Sequence, residues 1–155
     1  MRISDLAYFA GFFDGEGCVH LVNRKPMKRV KKRSKKTVIY QPPPRVIVSV
    51  GQKEPSVLIE LQKSFGGRIQ FRKNGHYLWR CDGKSTKKFL ESVLPFLRIK
   101  KPYAELAIMM LRTNKTRIES FKGLSKEEWE ERLKYESLIQ GLRNKEKENL
   151  EKEVN

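Results

Sequence analysis

The sequence predicts an α+β fold in which four strands form one layer and the helices gather on one side of it. Three observations carry that expectation. Helix-period and alternating segments follow one another as helix, strand, strand, helix, strand, strand, helix, helix, helix. Gly or Pro punctuates the strand pairs. Eight Phe, five Tyr and two Trp, within a hydrophobic share of 38%, are enough for a core. At 155 residues the chain has the length of one domain. It divides into a first helix with its turn (1–17), a sheet with core helices (18–115), and a last helix with a charged tail (116–155). No run nears the ~18 apolar residues of a membrane span, and no signal peptide opens the chain. Cys18 and Cys81 have no metal or redox spacing. The expectation is a reduced intracellular protein of the cytoplasm, nucleoid or an organelle, away from membranes.

Ser4 is placed to cap a helix over 5–13, which Gly15 and Gly17 stop. Residues 18–25 read as a strand that runs into a basic loop. Residues 37–50 read as a second strand, broken or bulged at Pro42, Pro43 and Pro44. Past the prolines, Val46, Val48 and Val50 fall on a core face, with Arg45, Ile47 and Ser49 opposite. Pro55 suits the first turn of a helix through Leu58, Leu61 and Phe65, closed by Gly66 and Gly67. Asn74-Gly75 marks a two-residue hairpin turn. Its arms put Ile69, Phe71, Tyr77, Trp79 and Cys81 on an apolar face and Arg68, Gln70, Arg72, His76 and Arg80 on a basic one. Helices follow over 85–96 and 102–112. Ser125 with Glu128 forms a capping box for the last helix. Trp129, Leu133, Ile139 and Leu142 would stripe its buried side, with fraying beyond Arg143.

The charge is large and unevenly placed. The chain carries 34 Lys and Arg against 18 Asp and Glu, a net of +16. Residues 1–124 hold 27 basic and nine acidic side chains, whereas 125–155 hold seven and nine. No acid occurs from 17 to 53, and nine of the thirteen residues in 24–36 are Lys or Arg. Such a run also reads as a solvated loop or a nuclear-import signal. Its position between two strands fits a loop that reaches phosphates, where each neutralised phosphate releases counterions. A basic strand face suits the major groove of DNA, which RNA duplexes hide.

The sharpest local feature is Phe9-Ala-Gly-Phe-Phe-Asp-Gly-Glu-Gly17. Small residues (Ala7, Ala10, Gly11) allow two helix backbones to approach, and two acids end the helix, where the dipole favours cations. From spacing alone, the segment also reads as a capped core helix with acids in its turn. The segment resembles the LAGLIDADG motif of homing endonucleases, position by position, and the likeness extends over most of 5–112. It is closest to the single-motif group, which acts as homodimers; this chain has no second copy of the motif.

The resemblance implies an αββαββα fold with a four-stranded antiparallel DNA-binding sheet and additional C-terminal helices. It implies a metal site at Glu16 and the Gly15 carbonyl, a structural role for Asp14, and helix pairing through Ala7, Ala10 and Gly11 across the dimer axis. Gln52, at the end of Ser49-Val-Gly-Gln-Lys53, matches a solvent-orienting Gln, and Lys100, in Leu94-Pro-Phe-Leu-Arg-Ile-Lys-Lys101, matches a Lys beside the scissile phosphate. Two departures stand out: Glu for the more usual Asp at 16, and Ser56 where the closest group has a basic residue. The implied activity is hydrolysis of both strands of a pseudo-palindromic duplex of roughly twenty base pairs, ten per strand arm. Mg²⁺ suits the oxygen ligands, with Mn²⁺ and Ca²⁺ able to occupy the same site. Recognition is expected from Cys18, His20, Arg24, Gln41, Arg45, Ser49, Arg68, Gln70, Arg72, His76 and Arg80, with Lys28, Arg29, Lys31, Lys32 and Arg33 on phosphates. The alternative is an RNA maturase, with intron RNA as partner, or a non-cleaving DNA-binding protein of the same fold.

Overall fold

The computed structural model describes residues 1–22, 27–30, 37–40, 45–112 and 126–154. Helix α1 (Ile3–Glu16) begins before and ends after the span its local signals predict. Asp5 organises the start: its Oδ2 accepts the Arg2 amide at 3.0 Å, and that bond is the main reason its carboxyl titrates below the usual value. Ser4 lies inside the helix, its hydroxyl 3.4 Å from Asp5. Gly15 does not break the helix, because burial of Phe9, Ala10 and Phe13 holds that segment helical against glycine's poor propensity. The chain turns at Gly17, where space demands glycine. A Cβ there would sit 2.0 Å from the Phe13 ring and 2.5 Å from its carbonyl oxygen.

Six strands follow the expected alternation but in shorter pieces. They are β1 (Gly17–Val22), β2 (Met27–Val30), β3 (Thr37–Tyr40), β4 (Arg45–Gln52), β5 (Arg68–Phe71) and β6 (Tyr77–Asp82). The main sheet is antiparallel with order β1-β4-β6-β5, while β2 and β3 pair as a separate hairpin. The two long strands expected over 18–25 and 37–50 are therefore three, β1, β3 and β4, and the basic stretch contributes a strand of its own, β2. Residues 42–44, the prolines, lie outside the described residues. Between β5 and β6 the turn is one residue longer than expected. The Arg72 amide bonds the His76 carbonyl, and Gly75, at φ +79°, closes the loop on the Arg72 carbonyl.

Helix α2 (Ser56–Phe65) has Pro55 just outside its first turn. Gly66 ends it at φ +77°, and its carbonyl accepts the Trp79 indole N–H at 2.9 Å. Helix α3 (Gly83–Val93) tightens into a 3₁₀ turn at Leu94–Phe96 before α4 (Lys101–Arg112). Helix α5 (Lys126–Val154) continues well past Arg143, and Ser125 lies outside the described residues. Of the expected stripe, Ile139 is buried and Leu142 half-buried, Leu133 is exposed, and the Trp129 side chain lies outside the described residues. Arg132 is buried and Tyr135 half-buried on the same helix.

One core joins sheet and helices. Val19, Val46, Val48, Val50, Trp79 and Cys81 meet Phe9, Phe13, Leu58, Leu61, Phe65, Leu90, Val93 and Ile108. Phe89 sits at its centre, edge-to-face with Phe13, Phe65 and Trp79 at 5.1, 5.1 and 5.2 Å. The apolar halves of β1, β4 and β6 are used here, which leaves the opposite sheet face open. On β5 only Ile69 packs against the core. Phe71, expected on the apolar face, is exposed because it lies at the end of the edge strand.

Candidate active site and nucleic-acid interface

The end of α1 is tied down by its own acid. Asp14 Oδ2 accepts the Arg98 amide and Oδ1 the Lys100 amide, both at 2.8 Å. The Lys100 ammonium donates in turn to the Asp14 carbonyl. This reciprocal clasp holds the segment between the 3₁₀ turn and α4 against the helix end. It also places a half-buried lysine charge where the last carbonyls of α1 lack intrahelical partners. Glu16 stands two residues on, exposed, with no hydrogen bond or ion pair among the described residues.

Gln52 arrives from a different element. Gly17 pairs with Val50, so β4 runs two residues past the point where α1 hands over to β1, and Gln52 ends it. Its Oε1 accepts the Lys53 amide at 3.0 Å, which leaves the side-chain NH₂ as donor. Ser56 is engaged locally, its amide 3.1 Å from the Glu54 carboxylate and its hydroxyl bonded to the same group. The structure thus brings Glu16, Lys100 and Gln52 to one end of the sheet.

The donors there are hard oxygens, the Glu16 carboxylate and the backbone carbonyl of Gly15, which fit a divalent ion such as Mg²⁺. No three His, Cys, Asp or Glu side chains gather elsewhere among the described residues. An ion at Glu16 would complete its shell with water, phosphate or a second chain.

The exposed side of α1 carries Ala7, Gly11 and Gly15, flanked by Tyr8. A Cβ on Gly11 or Gly15 would meet nothing within 4 Å. Ala10 departs from its expected place in this stripe. It is fully buried in the chain's own core, because the helix turns it toward Phe9 and Phe13.

The outer sheet face is set by register. Cys18, Ser49, Arg80 and Arg68 form one row across the strands, and His20, Ile47 and Asp82 the next. Arg45 lies opposite Val22, and Gln70 opposite Leu78. Arg68, Gln70 and Arg72 are exposed, and Arg80 and His76 half-buried. Lys28 is exposed on β2 and Arg29 shares that strand, whereas Arg24, Lys31, Lys32, Arg33 and Gln41 lie outside the described residues.

Ser49 differs from its expected role as a base contact. It is buried, with its hydroxyl 2.8 Å from His20 Nε2, so it orients the imidazole and leaves His20 as the group presented. Burial holds the His20 pKa below its ordinary 6.5, and the positive charges of Arg143 and Arg80 add to that.

Two residues on this face were not anticipated. Asp82 is a carboxylate among cations, although alternation along β6 places it beside Arg80. Arg143 comes from α5, 125 positions beyond Cys18, and no local signal points to it. Its guanidinium lies 3.7 Å from Cys18 Sγ and donates to the Val19 carbonyl, covering part of the open edge of β1.

Comparison with known proteins agrees with this fold. The family model for LAGLIDADG endonuclease matches residues 9–117. The fold is similar to that of the homing endonuclease I-CvuI in complex with its target in the presence of 2 mM Ca, with 26% identity, coverage of 71% of this chain and 67% of that one, and a TM-score of 0.53. The archaeal intron-encoded homing endonuclease I-Vdi141I, complexed with DNA, is similar over 90% of this chain and 84% of its own, with 16% identity and a TM-score of 0.64. I-SmaMI, bound to uncleaved DNA target in the presence of calcium ions, matches 87% of this chain over 44% of its own, with 20% identity and a TM-score of 0.52. The last two likenesses speak for the fold alone. No curated protein matches the chain. Motif, strand order and family match agree: the chain belongs to the LAGLIDADG endonuclease family.

Proposed function

We propose that this protein is a site-specific DNA endonuclease that acts as a homodimer, uses a divalent metal ion, and hydrolyses both strands of a pseudo-palindromic target of roughly twenty base pairs. The observation that carries this reading is the presence, at one helix end, of an exposed Glu16 with no ion pair among the described residues and of Lys100 clasped to Asp14. Binding alone has no use for an unpartnered carboxylate beside a docked polyanion. A metal site does, and that argues against a non-cleaving binder.

Glu16 and the Gly15 carbonyl would hold the ion, with Mg²⁺ the best fit to oxygen donors. When bound, such an ion lowers the pKa of a water and neutralises phosphate charge. The calcium present with I-CvuI and I-SmaMI supports a divalent ion in this role. Lys100 spends one of its three donors on Asp14 and keeps the rest for phosphate oxygens, as a fixed charge that needs no reorganisation. The Gln52 amide orients solvent at the same end. Asp14 positions Lys100 and does not touch the reacting atoms.

One chain offers one such carboxylate, and two strands must be cut. The open Ala7, Gly11 and Gly15 stripe supports close approach of a second α1. The matched part makes up 44% of the I-SmaMI chain, which leaves room there for a second unit of this size.

The test starts from selection of a target among random duplexes by the wild-type protein with Mg²⁺. Glu16→Gln is expected to bind that target within a few-fold of wild type and to lose cleavage. Mixed dimers of wild-type and Glu16→Gln chains should nick one strand only. Full cleavage by the variant would remove the metal assignment, and double-strand cutting by mixed dimers would remove the one-carboxylate-per-chain argument.

A further inference from the structure

Asp82 occupies the N-cap of α3 with extended backbone, φ −138° and ψ 169°. An aspartate there ordinarily accepts a hydrogen bond from the first turn of its helix. This one makes no such bond. Its carboxylate turns to the outer sheet face, where Oδ2 lies 3.4 Å from the Arg45 guanidinium. Register explains the meeting: Asp82 pairs with Ile47, and Arg45 is two positions along the same strand, on the same face.

Stability does not account for the pair. The two side chains are 47% and 48% exposed, and ion pairs that exposed contribute little to folding. A carboxylate also repels the polyanion that the surrounding cations attract. Its chemistry nonetheless complements one object in the major groove. A G·C pair presents guanine O6 and N7 as acceptors beside the cytosine amino group as donor. Arginine offers only donors, in a fork, and a carboxylate only acceptors.

We propose that Arg45 and Asp82 read one G·C pair of each half-site together. Arg45 donates to guanine O6 and N7; Asp82 accepts from the cytosine amino group and aims the guanidinium. The inference rests on the DNA-endonuclease reading above and adds a specificity residue to it. Val22, opposite Arg45, lies five residues beyond Gly17. At ~3.3 Å per residue and ~3.4 Å per base step, the base pair read lies about five steps outward from the α1 end.

Wild type, Asp82→Asn and Arg45→Ala are each selected against random duplexes at one salt concentration, with thermal unfolding measured alongside. Asparagine keeps the capping ability and the shape, so the unfolding temperature should not move. Wild type should prefer G·C at one position per half-site, about five steps out, and Asp82→Asn should lower that preference about tenfold. Its affinity for unrelated duplex should rise, since a negative charge is gone from the face. Arg45→Ala should lose preference at the same position, and adding Asp82→Asn to it should alter no further position. A wild-type profile without G·C at that distance, or an Asp82→Asn profile unchanged at every position, overturns the inference and leaves the endonuclease reading standing. A wild-type protein that selects no target overturns that reading, and the inference with it.

Discussion

On the inner face of the main sheet stand Val19, Val46, Val48, Val50, Trp79 and Cys81, all buried. One residue along each strand, the outer face carries Cys18, His20, Arg45, Ser49, Arg80 and Asp82. The same strands and the same two-residue period build both. The inner face is held by removal of apolar area from water, and burial there pushes the Cys81 thiol up to about 11, which leaves it inert. The outer face is held by polar partners. Even Ser49, buried, keeps its hydrogen bond to His20. Substitutions should therefore separate cleanly, stability on one side and recognition on the other.

The largest separation should come from Trp79→Ala. It removes the ring from its contact with Phe89 and leaves the Gly66 carbonyl without its indole donor. We expect a loss of about 3–5 kcal/mol in urea unfolding, with the base preferences of the folded protein unchanged. A shift in those preferences would mean the two faces are coupled. Arg80→Ala should do the reverse. Target binding should weaken by about 1–3 kcal/mol with relaxed specificity at one position, measured by competition binding, while stability stays within about 0.5 kcal/mol.

The smallest effect sharpens the boundary between the faces. His20 is half-buried, and its folded pKa lies below 6.5. Above pH 6.5 neither folded nor unfolded chain holds the proton, so the group has no influence. As pH falls below 6.5, the unfolded chain takes up a proton that the folded one resists, and stability declines until the folded pKa is passed. His20→Gln should flatten that part of the pH–stability curve. Identical slopes for wild type and variant between pH 6.5 and 5 would show that the imidazole protonates freely in the fold.

Much of this molecule was legible in its residues. Alternation over 46–50 and 77–81 assigned each side chain to a face, because successive Cβ atoms in any strand point to opposite sides. The acids at the helix end were legible in the spacing of their segment, and the segment around Lys100 through its resemblance to the family. Boundaries were less so. Gly15 reads as a stop and stays helical because Phe9, Ala10 and Phe13 are buried. Leu133 reads as part of the buried stripe of α5 yet is exposed, while Ile139 from the same stripe is buried.

What the sequence by itself determined is the part ruled by neighbours in the chain: the fold class, the two-faced strands and the acidic end of the first helix. The tertiary structure alone decided that Ala10 faces inward, that Ser49 supports His20, that Asp82 leaves its helix for Arg45, and that Arg143 covers the edge of β1. Periodicity is imposed by backbone geometry over a few residues. Partnership between distant groups depends on which surfaces packing brings together, and no short stretch of chain contains that information.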